Sequence, residues 1–328
     1  MGGSGLRKRL GRSKRFLLGL LVMGGSVFCP CCGHTFRRFL MFAGLPGQQC
    51  PRCGSLARHR LMWIFIKEME ARFKPGSRVL HFAPEEALGD FMPGEKGLRV
   101  TFDISNKYSP MVRGDIQHLP FRADTFDAII CSHVLEHVPD DARAMGELAD
   151  VLKTGGWALI QVPIDRNRAK TLEDWEGSTS SARARVFGLE DHLRLYGLDF
   201  YSRLEEAGFN VSKLNLTGLL SPQAAMFYGL KDHILCICTK NGEEAAPLPS
   251  AGQFIGPTAA RLRQIRDEKP MTRRGVLGLV LSTARLVRLA TRVSMPQGTV
   301  TEATGAAFNL KSGAAGPSEA VMSDTDPL

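Results

Sequence analysis

Four cysteines fall in two CxxC pairs, Cys29/Cys32 and Cys50/Cys53, with 17 residues between Cys32 and Cys50. Each pair sets two sulfurs at one tight turn. Gly33 and Gly54 follow directly and let backbone amides turn back toward the thiolates. Two such knuckles complete a four-sulfur tetrahedron, which suits a structural Zn²⁺ and leaves no open position for chemistry. Cys31 lies inside the first pair and is an alternative ligand to a neighbour. His34, His59 and the arginines beside His59 are placed to orient this module or to meet a partner. Cys131 stands alone, and Cys236 and Cys238 alternate in an apolar run. The set of eight therefore reads as a metal site in a reducing compartment, not a disulfide framework.

A second group could move protons. His133, Glu136 and His137 fall within five positions, and a histidine near neutrality can act as a general base. His133 is the candidate to face a cleft. Glu136 and His137 are read first as braces of the fold. Asp165 and the DHLRLYG segment, with Asp191, His192, Arg194 and Tyr196, are candidates for the wall that meets a second substrate.

These residues need a frame. Between Arg78 and Lys240, short apolar runs alternate with helical segments, the pattern of a parallel sheet covered on both faces. Strands are expected at 78–83, 98–103, 111–114, 128–132, 157–162, 210–216 and 234–239. Helices are expected over 141–152, stopped by Gly155-Gly156, over 198–207, closed by Gly208, and over 61–69, joining the cysteine module to the core.

Charge divides the 328 residues. Residues 1–74 carry a net +12, residues 75–260 a net −7 and residues 261–292 a net +7. An acidic middle argues against a central domain that grips nucleic acid. The basic leader (Arg7, Lys8, Arg9, Arg12, Lys14, Arg15) precedes the apolar stretch 16–23, which is too short to span a bilayer and has no clean small-x-small cleavage site after it. The leader, and a helical pattern over 276–293 with Arg285, Arg288 and Arg292 on one face, each suit contact with an anionic membrane surface or an acidic partner.

Over residues 78–163 the sequence resembles the class I S-adenosylmethionine-dependent methyltransferases, the type 11 group in particular. GDIQHLPFRADTFDAIICSHVLEHVPD and ELADVLKTGGWALIQVP carry the resemblance through an acid, LPF, FD before an apolar strand, LEH, and LKxGG before the next strand. The resemblance implies an α/β, Rossmann-like sheet of seven strands with the last antiparallel. It places Asp103 at the ribose hydroxyls, Asp115 and Ile116 at the adenine, and Ser132 and His133 at the methionine and sulfonium portion. The loop that in the family is an acid followed by Gly-x-Gly-x-Gly departs here: VLHFAPEEAL puts His81, Ala83, Glu85 and Ala87 at those positions. Ala83 and Glu85 are then the loop's contacts to the cofactor, with Glu85 either binding its ammonium or blocking the site. The string CSHV is not the Asn/Asp-Pro-Pro-aromatic signature associated with planar amine targets.

The expected organisation is a basic leader (1–24), a four-cysteine zinc module (25–60), the methyltransferase domain (61–240) and a largely disordered tail (241–328). The expected function is in-line methyl transfer from S-adenosylmethionine to a small-molecule or glycan acceptor. The expected place is the cytoplasm, with peripheral contact on the inner face of the membrane. Two alternatives stand beside it: an RNA methyltransferase that uses the zinc module on RNA, and a non-catalytic protein that kept the fold.

Overall fold

The computed structural model describes residues 15–70, 73–88, 97–106, 109–173, 179–220, 222–231 and 233–240. The first fourteen residues of the basic leader, the tail from 241 and the arginine helix expected over 276–293 lie outside the described residues.

After a helical turn over residues 15–21, two small antiparallel pairs carry the cysteines. Strand β1 (Met23–Cys29) pairs with β2 (His34–Phe36), and β3 (Leu40–Phe42) with β4 (Leu45–Gln49). Helix α1 (Ala57–Glu70) begins four residues earlier than the apolar run alone suggested, and so includes Arg58, His59 and Arg60.

The main sheet is built from β5 (Ser77–Phe82), β6 (Gly97–Asp103), β7 (Val112–Arg113), β8 (Phe126–Ser132), β9 (Leu152–Gln161), β12 (Phe209–Leu214) and β13 (Leu235–Lys240). Its order is β12-β13-β9-β8-β5-β6-β7, and β13 alone runs antiparallel to its neighbours. This is the Rossmann-like seven-stranded sheet the sequence implied. A two-residue pair, β10 (Leu172–Glu173) with β11 (Arg194–Leu195), stands apart from it. Strand order reverses between β5 and β8, so the carboxyl ends of these strands form the crevice where such sheets hold ligands.

Side-chain alternation sorts the core into two layers. Val79, Ala128, Ile130, Trp157, Leu159 and Ile237 pack on one face against Leu61, Met62, Phe65 and Met69 of α1. Leu80, Phe82, Ile129, Cys131, Ile160 and Cys236 pack on the other, against Ala144, Met145 and Leu148 of α2 (Asp141–Val151) and Phe200 and Leu204 of α4 (Phe200–Glu206). The LPF and FD strings of the resemblance are core as well: Phe121 and Phe126 meet edge to face at 5.0 Å. Two further helices, α3 (Ser180–Phe187) and α5 (Pro222–Phe227), lie in the connections.

Strand bounds shift by a residue or two, with one larger difference. The LKTGG stretch is not a loop after α2; β9 starts at Leu152, immediately after the helix. Gly155 has φ +74°, and a Cβ on Gly156 would lie 3.0 Å from the carbonyl oxygen of Asp127, so the glycines let β9 enter the sheet through an irregular register.

Arg60 fixes the cysteine module to the domain. It is fully buried and donates to the backbone carbonyls of Gln48, Ser55, Tyr228 and Gly229, while its guanidinium lies 3.8 Å from the Phe39 ring centroid. A buried cation is tolerable only when its donors are satisfied, and here carbonyls from both parts satisfy it.

Candidate functional site

The cysteine module presents a compact sulfur cluster. The Sγ atoms of Cys29, Cys32, Cys50 and Cys53 all lie within 4.8 Å of one another. Cys29 is 3.6 Å from Cys53, and Cys32 is 3.8 Å from Cys50. A Zn–S bond of about 2.3 Å sets tetrahedral sulfurs about 3.8 Å apart, so the donor set fits. Gly33 and Gly54 adopt φ of +68° and +76°, and their amides donate to the carbonyls of Cys29 and Cys50 to close each knuckle. Cys31 stands outside the four-sulfur group.

At the carboxyl ends of β5, β6 and β8 lies a cavity of about 570 Å³, within the range of small-molecule sites. Ala83, Glu85, Asp103, Asp115, Ile116, Ser132 and His133 all line it. The structure thus brings together every residue singled out for the cofactor and for catalysis. Asp103 ends β6, and its Oδ1 accepts from the Ser105 amide. Asp115 is held by Gln117, whose amide and side-chain nitrogen both donate to it. Ile104, exposed at 69%, and buried Ile116 supply apolar wall, and Gly114 is required because a Cβ there would lie 2.8 Å from the Phe102 ring.

The departure at the loop has a physical explanation. Glu85 does not fill the cavity; its Oε1 accepts from His59 Nε2 at 2.8 Å and from Arg58 at 3.1 Å, both on α1. Burial pushes the Glu85 carboxyl up, but His59 and Arg58 outweigh it and hold the carboxyl at about 2. Its Oε2 is buried without a partner, as is Ser132 Oγ. Two unpaired acceptors on one cavity wall fit a ligand that donates there, such as an ammonium or an amine. Ala83 adopts φ +42° and His133 φ +53°, conformations a side chain rarely takes, and both line the cavity. His81, where the family has an acid, is fully buried, and burial with the nearby Arg99 charge lowers it to about 4 despite Glu85.

His133 Nδ1 lies 3.0 Å from Glu136 Oε1. A carboxylate only accepts, so Nδ1 carries the proton and Nε2 is left as the basic nitrogen. His133 also borders a second cavity of about 410 Å³, which Arg58, Leu61, Met62, Gln161, Val162 and Ile164 help to form. One imidazole therefore stands on the walls of both cavities.

The expected acceptor wall is corrected in part. Arg194 and Tyr196 are fully buried. Arg194 donates to the carbonyls of Leu135, Val138 and Pro139, and Tyr196 donates to Asp141 at 2.8 Å, so both brace the LEH turn and the start of α2. Asp165 pairs with Arg168 and accepts from the Asn167 amide. Only Asp191 of that segment lines the larger cavity. Sequence reasoning missed Arg58 and His59 as partners of Glu85. An acid set in an apolar loop demands a base, and the nearest basic cluster, RHR at 58–60, was the available signal.

Comparison with known proteins meets the same region. Residues 97–160 match the methyltransferase domain family. A demethylmenaquinone methyltransferase of Streptomyces avermitilis is 30% identical over 128 residues, which cover 35% of this chain and 55% of the relative. A sterol 24-C-methyltransferase of Schizosaccharomyces pombe is 24% identical over 210 residues, 55% of this chain and 51% of the relative. The chain spans about half the length of these curated relatives. Among solved structures, an S-adenosylmethionine-dependent methyltransferase of Mesorhizobium loti is similar at 16% identity and a TM-score of 0.35, covering 50% of this chain and 90% of that one. The matched segment runs from β6 to β9 and carries five of the seven cavity residues named from the sequence: Asp103, Asp115, Ile116, Ser132 and His133.

Proposed function

We propose that this chain is an S-adenosylmethionine-dependent methyltransferase whose acceptor is a small molecule with an apolar body. The observation that carries the reading is His133, set on the wall of the donor-sized cavity and of the cavity beside it.

S-adenosylmethionine, when bound, would supply a methyl group on a sulfonium: the acceptor's nucleophile would bond to that carbon in line as the carbon–sulfur bond breaks, with S-adenosylhomocysteine as the leaving group. Asp103 would accept from the ribose hydroxyls, and Asp115 with Ile116 would hold the adenine. Glu85 Oε2 and Ser132 Oγ, the unpaired buried atoms, receive the methionine portion. His133 Nε2 takes the acceptor's proton, while Glu136 holds the ring in the required tautomer. Leu61, Met62, Val162 and Ile164 favour an apolar acceptor body over a glycan. The names of the two relatives, which specify demethylmenaquinone and a sterol, support the same class. The cysteine cluster takes a structural Zn²⁺ that sets α1, and through Arg58 and His59 the position of Glu85.

Calorimetric titration with S-adenosylmethionine tests the reading. Saturable one-site binding that Asp103→Ala removes is expected. No binding by a folded wild-type chain would leave the fold in place but refute the enzyme.

A peripheral membrane contact is a second element of the reading. Phe16, Leu17 and Leu21 are exposed beside Arg15, at 46%, 59% and 74%. No described helix is long and apolar enough to cross a membrane. Sedimentation with anionic vesicles, but not with neutral ones, is expected, and its absence removes this element alone.

A further inference from the structure

A second constellation of metal-binding side chains lies at the rim of the larger cavity, separate from the sulfur cluster. Glu136, His137 and His192 each bring one donor atom to within 4.8 Å of the others. The LEH turn supplies the first two, and the segment before β11 supplies the third. Glu136 is fully buried; its Oε1 meets His133, and its Oε2 has no partner. An unpaired buried carboxylate oxygen is costly, so its persistence beside two imidazoles calls for a cation or a donor not supplied by the chain.

The two histidines are oriented as metal ligands are. His192 is buried, and its Nδ1 is 2.9 Å from the Phe187 carbonyl. His137 Nδ1 is 3.1 Å from the Asp191 carbonyl. A carbonyl accepts only, so each Nδ1 carries the proton and each Nε2 is left as the basic donor, the arrangement that outer hydrogen bonds impose on ligating histidines. The rings meet edge to face with centroids 4.8 Å apart, close enough for both to reach one ion.

We propose that Glu136, His137 and His192 bind one divalent transition-metal ion, of the Zn²⁺ or Fe²⁺ class, at the mouth of the donor cavity. Two imidazoles and one carboxylate are a borderline donor set that favours such ions over Mg²⁺ or Ca²⁺, which prefer oxygen ligands alone. Asp191, whose carboxylate lies 3.4 Å from His137 Nδ1, would steady that ring from solvent. Three protein ligands leave a coordination position for water or for an oxygen of a bound molecule. The inference does not require the methyltransferase reading, since it rests on ligand geometry alone.

Loading the full chain with Co²⁺ and then desalting it tests the assignment, because cobalt reports its ligands. The cysteine site gives intense thiolate charge-transfer absorption. The proposed site adds a second equivalent with ligand-field bands and no further charge transfer. His137→Ala and Glu136→Gln are each expected to remove the second equivalent and to leave the thiolate absorption intact. Retained thiolate bands also show that the variants have folded. A wild-type chain that takes up one equivalent, with thiolate bands only, overturns the proposal. So does a second equivalent that persists in both variants.

Discussion

Glu85 Oε1 lies 2.8 Å from Nε2 of His59, which joins the loop at the end of β5 to the helix that follows the cysteine knuckles. A carboxylate placed where the resembling family has glycine is thereby drawn to the wall of the cavity instead of standing in it. His59 itself is held by the Leu56 amide, which donates to its Nδ1 at 2.9 Å, so the imidazole is fixed at both nitrogens. His59→Ala is expected to free Glu85 toward the cavity and weaken S-adenosylmethionine binding, with His59→Ala/Glu85→Gly recovering only part of it, because the carboxylate that receives the methionine portion is then gone. Calorimetry on the single and double variants checks this.

That pair, together with buried His81, gives stability a pH dependence. Burial, against the opposing pull of Glu85, lowers His59, and burial with the Arg99 charge lowers His81 to about 4. Both are therefore folded in the neutral form. Their contribution is complete above the ordinary histidine value of 6.5 and is lost as pH falls below it, down to about 4 for His81. Glu85, lowered to about 2 from 4.5, contributes fully above 4.5 and loses that contribution between 4.5 and 2. Denaturant melts across pH are expected to show two successive falls in stability on acidification. Glu85→Gln should flatten the lower one and leave the His81 part of the upper one.

Ala83 offers a cleaner test of the loop. At φ +42° a left-handed alanine costs about 1 kcal/mol relative to glycine, partly offset by the entropy glycine loses on folding. Ala83→Gly should stabilise the chain slightly, by up to about 1 kcal/mol, and bind cofactor at least as well. A loss of stability above that size would mean the methyl group is packed, not merely tolerated.

Much of this was legible in the sequence, and for identifiable reasons. The seven strands were readable because runs such as Ala128–Ser132 are apolar on both faces, as a sheet covered twice must be. The cavity residues were readable because each ends a strand or opens the following turn. What could not be read is pairing across long separations. Arg194 looked like a substrate wall because three polar side chains stood close together, yet its partners are carbonyls 55 to 59 residues away. The tie between Arg58 and Glu85 crosses 27 residues and depends on where α1 docks, which periodicity does not encode.

Tyr196 separates bracing from substrate contact. Its hydroxyl donates to Asp141, which Arg203 also meets at 2.8 Å. Tyr196→Phe removes one buried hydrogen bond and is expected to cost about 1 kcal/mol in unfolding while leaving the KM for the acceptor unchanged. A raised KM at full stability would return this residue to the acceptor wall.

Removing the zinc proposed for the cysteine cluster should act at a distance. Chelation, or Cys50→Ser, leaves thiolates without their charge partner and loosens the knuckles beside Ser55, whose hydroxyl sits 3.1 Å from Cys29 Sγ. Arg60 then loses two of its carbonyl partners, at Gln48 and Ser55. The expected result is a lower melting temperature together with weaker cofactor binding, because α1 carries Glu85's partners. Metal content, melting and calorimetry on the same samples check the chain of cause.

His133 is the residue on which the proposed chemistry turns, and its backbone dictates how to test it. At φ +53° most replacements would add strain, whereas asparagine adopts this conformation readily. His133→Asn therefore removes the basic nitrogen and leaves the turn intact. If the imidazole takes the acceptor's proton, kcat should fall roughly a hundredfold or more while the Kd for S-adenosylmethionine stays within a small factor. The loss should also shrink as pH rises, since a more basic solution deprotonates the acceptor without help. An equal loss at every pH would mean that His133 positions the acceptor. A loss confined to cofactor affinity would place it on the donor side alone, and the ring's position between the two cavities would then have no part in the transfer.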